Sequence, residues 1–372
     1  MKIKASSKKF LESLQPILGI VPQRTPYNVL KNHLKIIVKE KKFKAITTDI
    51  DNIGITEFPI EVEKEGETVI PVKKLVDFLR KIPESDVDIE LKGNKINFNY
   101  QQGNFSLPVL PSDEYPEIPE MVTKFEFEIS GNLLQRMVDK TAFAINTIGS
   151  SSVLTNGILW KIKDKKSEMV GASNHRLALY RAEVDNDADF EVVIPQKILI
   201  HISSILSDEK VKIKIGEDRI SFEINKGEYT FTSRLINFDF PDYSKIVFDK
   251  SKLKFSVDRK LLSDVVSRIS IFSDNVSYRT VLNFDNKNNL EVTSSSQDSG
   301  EAKEMIQFNR ISKGKEEYIL PINYHYLQDA MKAVDTDSIV FLLNDVDRAV
   351  EVVPESTDSG EELIYVLMPL LT

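Results

Sequence analysis

The sequence predicts an α+β protein made of three copies of one unit. Three observations predict it. The 372 residues fall into three stretches, about 124 residues apart, that repeat the same order of segments. Each stretch sets two short amphipathic helix patterns among runs that alternate apolar and polar residues, the signature of half-buried antiparallel strands. The polar faces of those helices are basic, although the chain carries a net charge of −8. Each unit is expected to hold two helices of roughly three turns packed on antiparallel sheets of about eight strands. Domains are expected at 1–122, 123–248 and 249–372, with boundaries in the polar, proline-bearing stretches 112–124 and 239–252.

Each repeat opens with a short strand, a cap and a helix: MKIKAS-SKKFLESLQPIL from Met1, FEFEIS-GNLLQRMVDKTAFAI from Phe125, and LKFSVD-RKLLSDVVSRISIF from Leu253. Ser6, Ser130 and Asp258 stand at the N-cap, where a side-chain oxygen satisfies an orphan helix N–H. A strand pair around a polar turn follows, as in HLKIIVKEKKFKAITTD from His33 and GILWKIKDKKSEMVGAS from Gly157. Next comes a strand ending in Ile-Pro or Leu-Pro that runs into the second helix: VIPVKKLVDFLRKI from Val69, VIPQKILIHISSIL from Val193, and ILPINYHYLQDAMKAV from Ile319. Proline is expected in the first helical turn, where its missing N–H costs nothing. Alternating strands complete each unit, for example VDIELKGNKINFNY from Val87.

Composition narrows the functions. Hydrophobic residues make up 41% of the chain, enough for ordinary cores, and there is no cysteine for a disulfide, thiolate metal site or nucleophile. The Met-Lys-Ile-Lys start lacks the apolar run of a signal peptide, and no stretch approaches ~18 apolar residues. A cytoplasmic protein without membrane contact is the expectation.

Charge is segregated by element. In the second helix Val72, Leu75, Val76, Leu79 and Ile82 form the apolar stripe, and Lys73, Lys74, Arg80 and Lys81 face outward with Asp77. The other helices expose Lys8 and Lys9 with Glu12, Arg136 and Lys140 with Asp139, Lys197, Arg259, Lys260 and Arg268 with Asp264, and Lys332 with Asp329. Thirteen basic residues thus meet five acidic ones on helix faces of an acidic chain. Basic side chains aligned along helices suit phosphate contacts, which position a duplex without reading its sequence. No zinc-finger, helix-turn-helix or RNP pattern accompanies them.

Packing distances then ask for two chains. Six helices at ~10 Å spacing enclose a hole about 9 Å wide, whereas twelve enclose roughly 28 Å. A B-form duplex is roughly 20 Å across. Sheets would form the outer wall, and their edges would have to pair between domains to avoid open edge strands.

No catalytic constellation emerges. His33, His175, His201 and His325 are scattered, and no P-loop, GxGxxG or GxSxG occurs. Asp49 and Asp51 in TTDIDN read as turn or edge residues, and Trp160 as a strand residue. A binding role fits better than a hydrolase on a repeated scaffold, which would need convergent polar groups. It also fits better than an adhesive repeat, which has no use for basic helix faces.

The chain resembles the bacterial DNA polymerase III β subunit family, the sliding clamps. The stretches that carry the likeness are VPQRTP at 21–26, TTDIDN at 47–52, NHRLAL at 174–179, FTSRLINFDFPDY at 231–243 and YVLMPL at 365–370. Their order and spacing run through the whole chain. The resemblance implies a DNA clamp fold and a head-to-tail homodimeric ring around duplex DNA. It implies a processivity factor with no catalysis and no cofactor or metal. Implied partners are the DNA polymerase III α subunit, a clamp loader that opens the ring, and other proteins carrying clamp-binding peptides. By the same resemblance, Arg24 joins the helix bases as a DNA contact. A partner-peptide pocket would include Thr155, Leu177, Pro241, Ile246, Tyr326, Val346, Val366, Leu367, Met368 and Pro369, with His175 and Arg176 at its rim. The dimer seam would set Phe105 and Leu107 against Ile271 and Phe272 of the other copy, and Lys73 or Lys74 against Glu301 and Glu304. Ser173-Asn174 and 152–154 depart from the family's usual residues. Apart from the resemblance, six apolar residues in VLMPLL invite a reading as a last strand whose end lines an apolar groove for peptides.

Overall fold

The computed structural model describes all residues except 146–156, 248–250, 313–316, 345–348 and 371–372. Six α-helices stand among the described residues: α1 (Ser7–Leu14), α2 (Val72–Leu79), α3 (Gly131–Thr141), α4 (Gln196–Ser203), α5 (Arg259–Ile269) and α6 (Tyr324–Ala333). Each follows directly on a strand. Three of them, α1, α2 and α4, span only 8 residues, little more than two turns. After α1 the chain tightens into a 3-10 helix over Gln15–Ile20, because Pro16 has no N–H to continue the α pattern. The stripe of α2 buries Val72, Leu75, Val76 and Leu79, and Ile82 falls in the turn beyond.

The helix starts differ from expectation. Asp258 caps α5 by accepting from the Leu261 amide at 2.7 Å, but the Ser6 side chain makes no capping bond. Instead, a repeated backbone bond serves each first helix. The amides of Ser7, Gly131 and Arg259 donate to the carbonyls of Ser85, Glu209 and Asp337 at 2.9, 3.0 and 2.8 Å. With the first orphan N–H already paired, the serine cap is dispensable. Pro71 and Pro195 lie at the ends of strands rather than in the first helical turn, and Pro321 lies within the strand Tyr318–Asn323. Extended φ suits proline there, and the helix that follows keeps all its donors; Asn323 caps α6 by accepting from the His325 amide.

Two compact units form, Met1–Gln135 with His201–Leu235, and Arg136–Ile200 with Ile236–Thr372. The division passes through α3 and α4, so the middle repeat supplies strands to both units.

In the first unit an eight-stranded antiparallel sheet runs in the order Phe125–Ser130, Lys210–Ile215, Arg219–Ile224, Tyr229–Arg234, Asn52–Pro59, Lys42–Thr48, His33–Lys39, Gly66–Pro71. First and second repeats join where Thr232 pairs with Ile53. A five-stranded sheet runs Glu61–Lys64, Lys2–Ser6, Asp86–Lys92, Lys95–Tyr100, Gly103–Pro108. Phe10, Phe43 and Phe98 are fully buried in this unit.

In the second unit a nine-stranded sheet runs Phe190–Pro195, Gly157–Lys163, Lys166–Ala172, Arg176–Glu183, Glu361–Leu367, Val350–Pro354, Ser338–Leu343, Leu253–Asp258, Asn309–Arg310. Here second and third repeats join where Leu177 pairs with Val366. A four-stranded sheet runs Gly300–Gln307, Asn289–Ser296, Arg279–Phe284, Tyr318–Asn323. Trp160 is fully buried in its strand, with the indole N–H donated to Ser167 Oγ at 2.9 Å.

Candidate functional site

The basic residues fall into two groups. Lys9, Arg24, Lys73, Lys74, Arg80, Lys81, Lys260 and Lys332 are exposed and make no ion pair among the described residues; Lys197 is also exposed. The others are engaged within the chain. Arg136 bonds Glu361 at 2.5 Å and contacts Tyr180, whose hydroxyl burial and the Glu361 hydrogen bond push up to about 12. Lys140 donates to Asp335 and to the Ala333 carbonyl at the end of α6, a cation placed where a helix C-terminus favours one. Arg259 reaches the Thr336 carbonyl at 2.7 Å, Arg268 forks onto Glu304 at 2.8 and 2.7 Å, and Lys8 stands 3.7 Å from Glu84.

The predicted pocket residues gather in the second unit, around the junction of Arg176–Glu183 with Glu361–Leu367. Leu177 and Val366 belong to a buried cluster with Leu159, Val170 and Val193, and Phe240, Tyr243 and Val247 pack on it half-buried. Leu367 is buried too. These residues are a floor, and the exposed apolar edge is made by Pro241, Ile246 and Met368. The Met368 amide donates to the His175 carbonyl at 2.9 Å, and the Leu370 amide to the Pro321 carbonyl at 2.9 Å, so the segment carrying Pro369 is fixed at both ends. The His175 ring lies nearly parallel to Tyr326, 6.2 Å away. Arg176 is no open rim residue. Its side chain is 9% exposed, ion-paired with Asp329 and bonded to the Phe143 and Ala144 carbonyls, with the guanidinium 4.7 Å from the Tyr326 ring. Thr155, Val346 and 152–154 lie outside the described residues.

Of the predicted seam residues, Phe105, Leu107, Glu301 and Glu304 sit on two end strands, Ile271 and Phe272 in the 3-10 turn Ser270–Phe272, and Lys73 and Lys74 on α2. Gly103–Pro108 is the last strand of the five-stranded sheet, and Gly300–Gln307 of the four-stranded one. Phe105 stacks on Phe98, with centroids 4.4 Å apart, and also packs on Phe78 of α2, while Leu107 is buried inside its own sheet. Near the other edge, Ile271 is 72% exposed and Phe272 half-buried. Glu301 is exposed, whereas Glu304 is held by Arg268.

One network escaped sequence reasoning. Glu168, 8% exposed at its side chain, meets Lys161 at 2.6 Å, Arg181 and the Tyr243 hydroxyl. Lys161 also donates to the Tyr243 oxygen at 2.6 Å, and Arg181 reaches Glu362 at 2.7 Å. Burial pulls the Glu168 carboxyl up, but the Lys161, Tyr243 and Arg181 hydrogen bonds outweigh it and hold the carboxyl below its ordinary value. Alternation hid this: Lys161, Glu168 and Arg181 each read as the polar residue of a strand. Asp49 works within its turn, accepting from the Asn52 amide at 2.8 Å, and Asp51 stands 3.4 Å from Arg234. His201 bonds the Pro16 carbonyl at 2.6 Å, and His33 the Lys31 carbonyl at 2.6 Å; His325 packs on Tyr278 and Tyr324. Among the described residues no helix is long and apolar enough to cross a membrane.

The chain matches family models described as the DNA polymerase III beta subunit: the N-terminal domain over residues 1–119, the central domain over 128–242 and the C-terminal domain over 245–370. It is similar to the beta sliding clamp of Pseudomonas aeruginosa, 27% identical over 97% of each chain. It is likewise similar to the beta sliding clamp of Bacillus subtilis, 26% identical over the full length of both. Among solved structures, a sliding clamp from Bartonella birtlesii bound to griselimycin superposes with a TM-score of 0.93 at 27% identity, covering 100% of each chain. The DNA polymerase III subunit beta from Pseudomonas aeruginosa gives 0.92 at 25%, again covering 100% of each chain.

Proposed function

Since the chain belongs to the DNA polymerase III beta subunit family and is a DNA sliding clamp, we propose that it works as a non-catalytic homodimeric ring built from domains 1–122, 123–248 and 249–372. The observation that carries this reading is that Gly103–Pro108 and Gly300–Gln307, two of the end strands, carry Phe105 and Leu107 and Glu301 and Glu304 of the expected seam. Paired head to tail between two copies, sheets of five and four strands become one of nine, the size already found inside the second unit. Open edges are otherwise an aggregation hazard.

The exposed bases on α1, α2, α4, α5 and α6, with Arg24, supply phosphate contacts without sequence preference, as a sliding ring requires. The apolar edge of Pro241, Ile246 and Met368 over the Leu177–Val366 floor takes short linear peptides from partners, among them the polymerase α subunit and a clamp loader. The ring needs no cofactor, and its place is the cytoplasm.

The test is topological. Loaded onto nicked circular DNA, the protein stays bound through gel filtration and is released when the circle is linearised. Equal retention on linear and circular DNA overturns the encircling reading.

A further inference from the structure

The three repeats provide an internal comparison. Each of the first two ends in a segment that crosses its own sheet and leads into the next repeat. Leu110 and Ile236 begin these segments, each bonded to the equivalent strand residue, Val69 or Val193. Tyr115-Pro116-Glu117-Ile118 in the first corresponds to Phe240-Pro241-Asp242-Tyr243 in the second.

The two segments are tied down at opposite ends. In the first repeat the tie is near the start, where Lys35 reaches the Ser112 carbonyl at 3.3 Å and Glu67 at 3.2 Å. The far end is apolar there: Ile118 and Ile37 both pack half-buried on one cluster with Tyr115. In the second repeat the residue matching Lys35 is Leu159, part of the buried cluster. Lys161 stands where the first repeat has Ile37, and Tyr243 where it has Ile118. The polar tie has moved to the far end and gained a buried carboxylate, Glu168.

Stability alone does not account for that move. An apolar pair of the Ile37–Ile118 kind holds a segment as well as a desolvated charge cluster does. Directional bonds add a fixed orientation, and the segment they orient carries Pro241 and Ile246. We propose that Glu168, Lys161 and Tyr243 form a positioning latch that presets the 240–247 wall of the peptide groove for its partners. The inference rests on the groove reading above and deepens it. Tyr243 couples the wall to the latch: its ring lies on the apolar cluster, while its hydroxyl accepts from Lys161 and donates to Glu168. The Lys161 ammonium lies at the hydroxyl end of the ring, 5.0 Å from its centroid. A wall held this way loses little further freedom when a peptide docks, which raises affinity through preorganisation rather than through new contacts.

Tyr243→Phe removes the hydroxyl, keeps the ring and leaves Lys161 paired with Glu168, so the fold survives it. A fluorescein-labelled peptide ending in Leu-Phe should bind the variant about five- to tenfold more weakly, the cost of reordering a wall that has lost both bonds of the Tyr243 hydroxyl, chiefly through faster dissociation. Amides of 240–247 should exchange with deuterium faster in the free variant than in wild type and match it again at saturating peptide. The thermal midpoint should fall only slightly, because Lys161 and Arg181 still pair Glu168. Equal affinity and equal exchange overturn the latch, and so does a loss of affinity with no local change in the exchange of 240–247. A wild-type protein that fails to bind the peptide overturns the groove itself, which separates the two failures.

Discussion

Arg176 Nη1 lies 2.6 Å from Asp329 Oδ2, and this pair joins the strand Arg176–Glu183 to α6. The guanidinium also bonds the Phe143 and Ala144 carbonyls and covers Tyr326. Its substitution therefore strands three acceptors. Arg176→Met should cost ~3 kcal/mol in urea unfolding, because it also leaves the Phe143 and Ala144 carbonyls without their donors. Asp329→Asn keeps an acceptor facing the guanidinium and both carbonyl bonds, so it should cost only ~1 kcal/mol. Equal costs would show that the guanidinium acts through Asp329 alone.

The helix bases should divide as their partners do. Arg80→Glu or Lys73→Glu should weaken association with duplex DNA and lower the slope of log affinity against log salt by ~0.9 for each phosphate no longer neutralised. Lys140→Ala should leave that slope unchanged and lower the unfolding midpoint, since Lys140 is committed to Asp335 and the end of α6. A slope that falls equally for Lys140 and Arg80 would contradict the division.

The same division marks what sequence can tell. Helix periodicity placed Lys73, Lys74, Arg80 and Lys81 on one outward face, and they are there, because the stripe Val72, Leu75, Val76 and Leu79 fixes the rotation of α2. Alternation likewise located strand pairs within a repeat, such as His33–Lys39 with Lys42–Thr48, but did not single out the strands that join repeats. Periodicity says which way a side chain points, not what stands opposite. Glu361 and Asp335 are 225 and 195 residues from the bases they engage, and only the assembled sheet brings them together. The resemblance set Arg176 at a rim, but its burial depends on Asp329, 153 residues away. The Glu168 network was invisible for the same reason.

At the seam, Ile271 and Phe272 should matter more than Leu107. Phe272→Ala should shift sedimentation toward monomer with an unchanged unfolding midpoint, since aromatic anchors dominate such interfaces. Leu107→Ala should instead destabilise the fold by ~2–5 kcal/mol, because Leu107 is already buried within its own sheet. A wild-type chain that sediments as a monomer at micromolar concentration would remove the seam.

Acid should weaken the Glu168 network at a predictable place. Its folded carboxyl titrates below the ordinary 4.5, so the stability it confers is complete above that value and fades as pH falls through the lower folded one. Lys161, Arg181 and the Tyr243 hydroxyl face the carboxylate, and Glu362 shares Arg181. The stability gap between wild type and Glu168→Gln, read from urea midpoints, should hold constant from neutral pH down to 4.5 and narrow as the pH falls further. A gap that widens in acid would mean that burial, not the three hydrogen bonds, governs this carboxyl.

The proposed peptide groove makes the most specific demand on one side chain. Met368 is 39% exposed, yet its amide is fixed to the His175 carbonyl, so the backbone is ordered while the side chain faces outward. An unbranched thioether in that position adapts to differently shaped apolar anchors. Burying one such anchor gains roughly 1.5–3 kcal/mol before ordering costs are subtracted, which suits weak, exchangeable partners. Met368→Ala should therefore weaken a labelled peptide ending in Leu-Phe by about tenfold or more, while sedimentation still reports a dimer, because the seam lies on other strands. Leu177→Ala should weaken the peptide too, but with a lowered unfolding midpoint, since Leu177 is part of the buried floor. Met368→Ala binding the peptide as tightly as wild type would place partner docking elsewhere on the clamp.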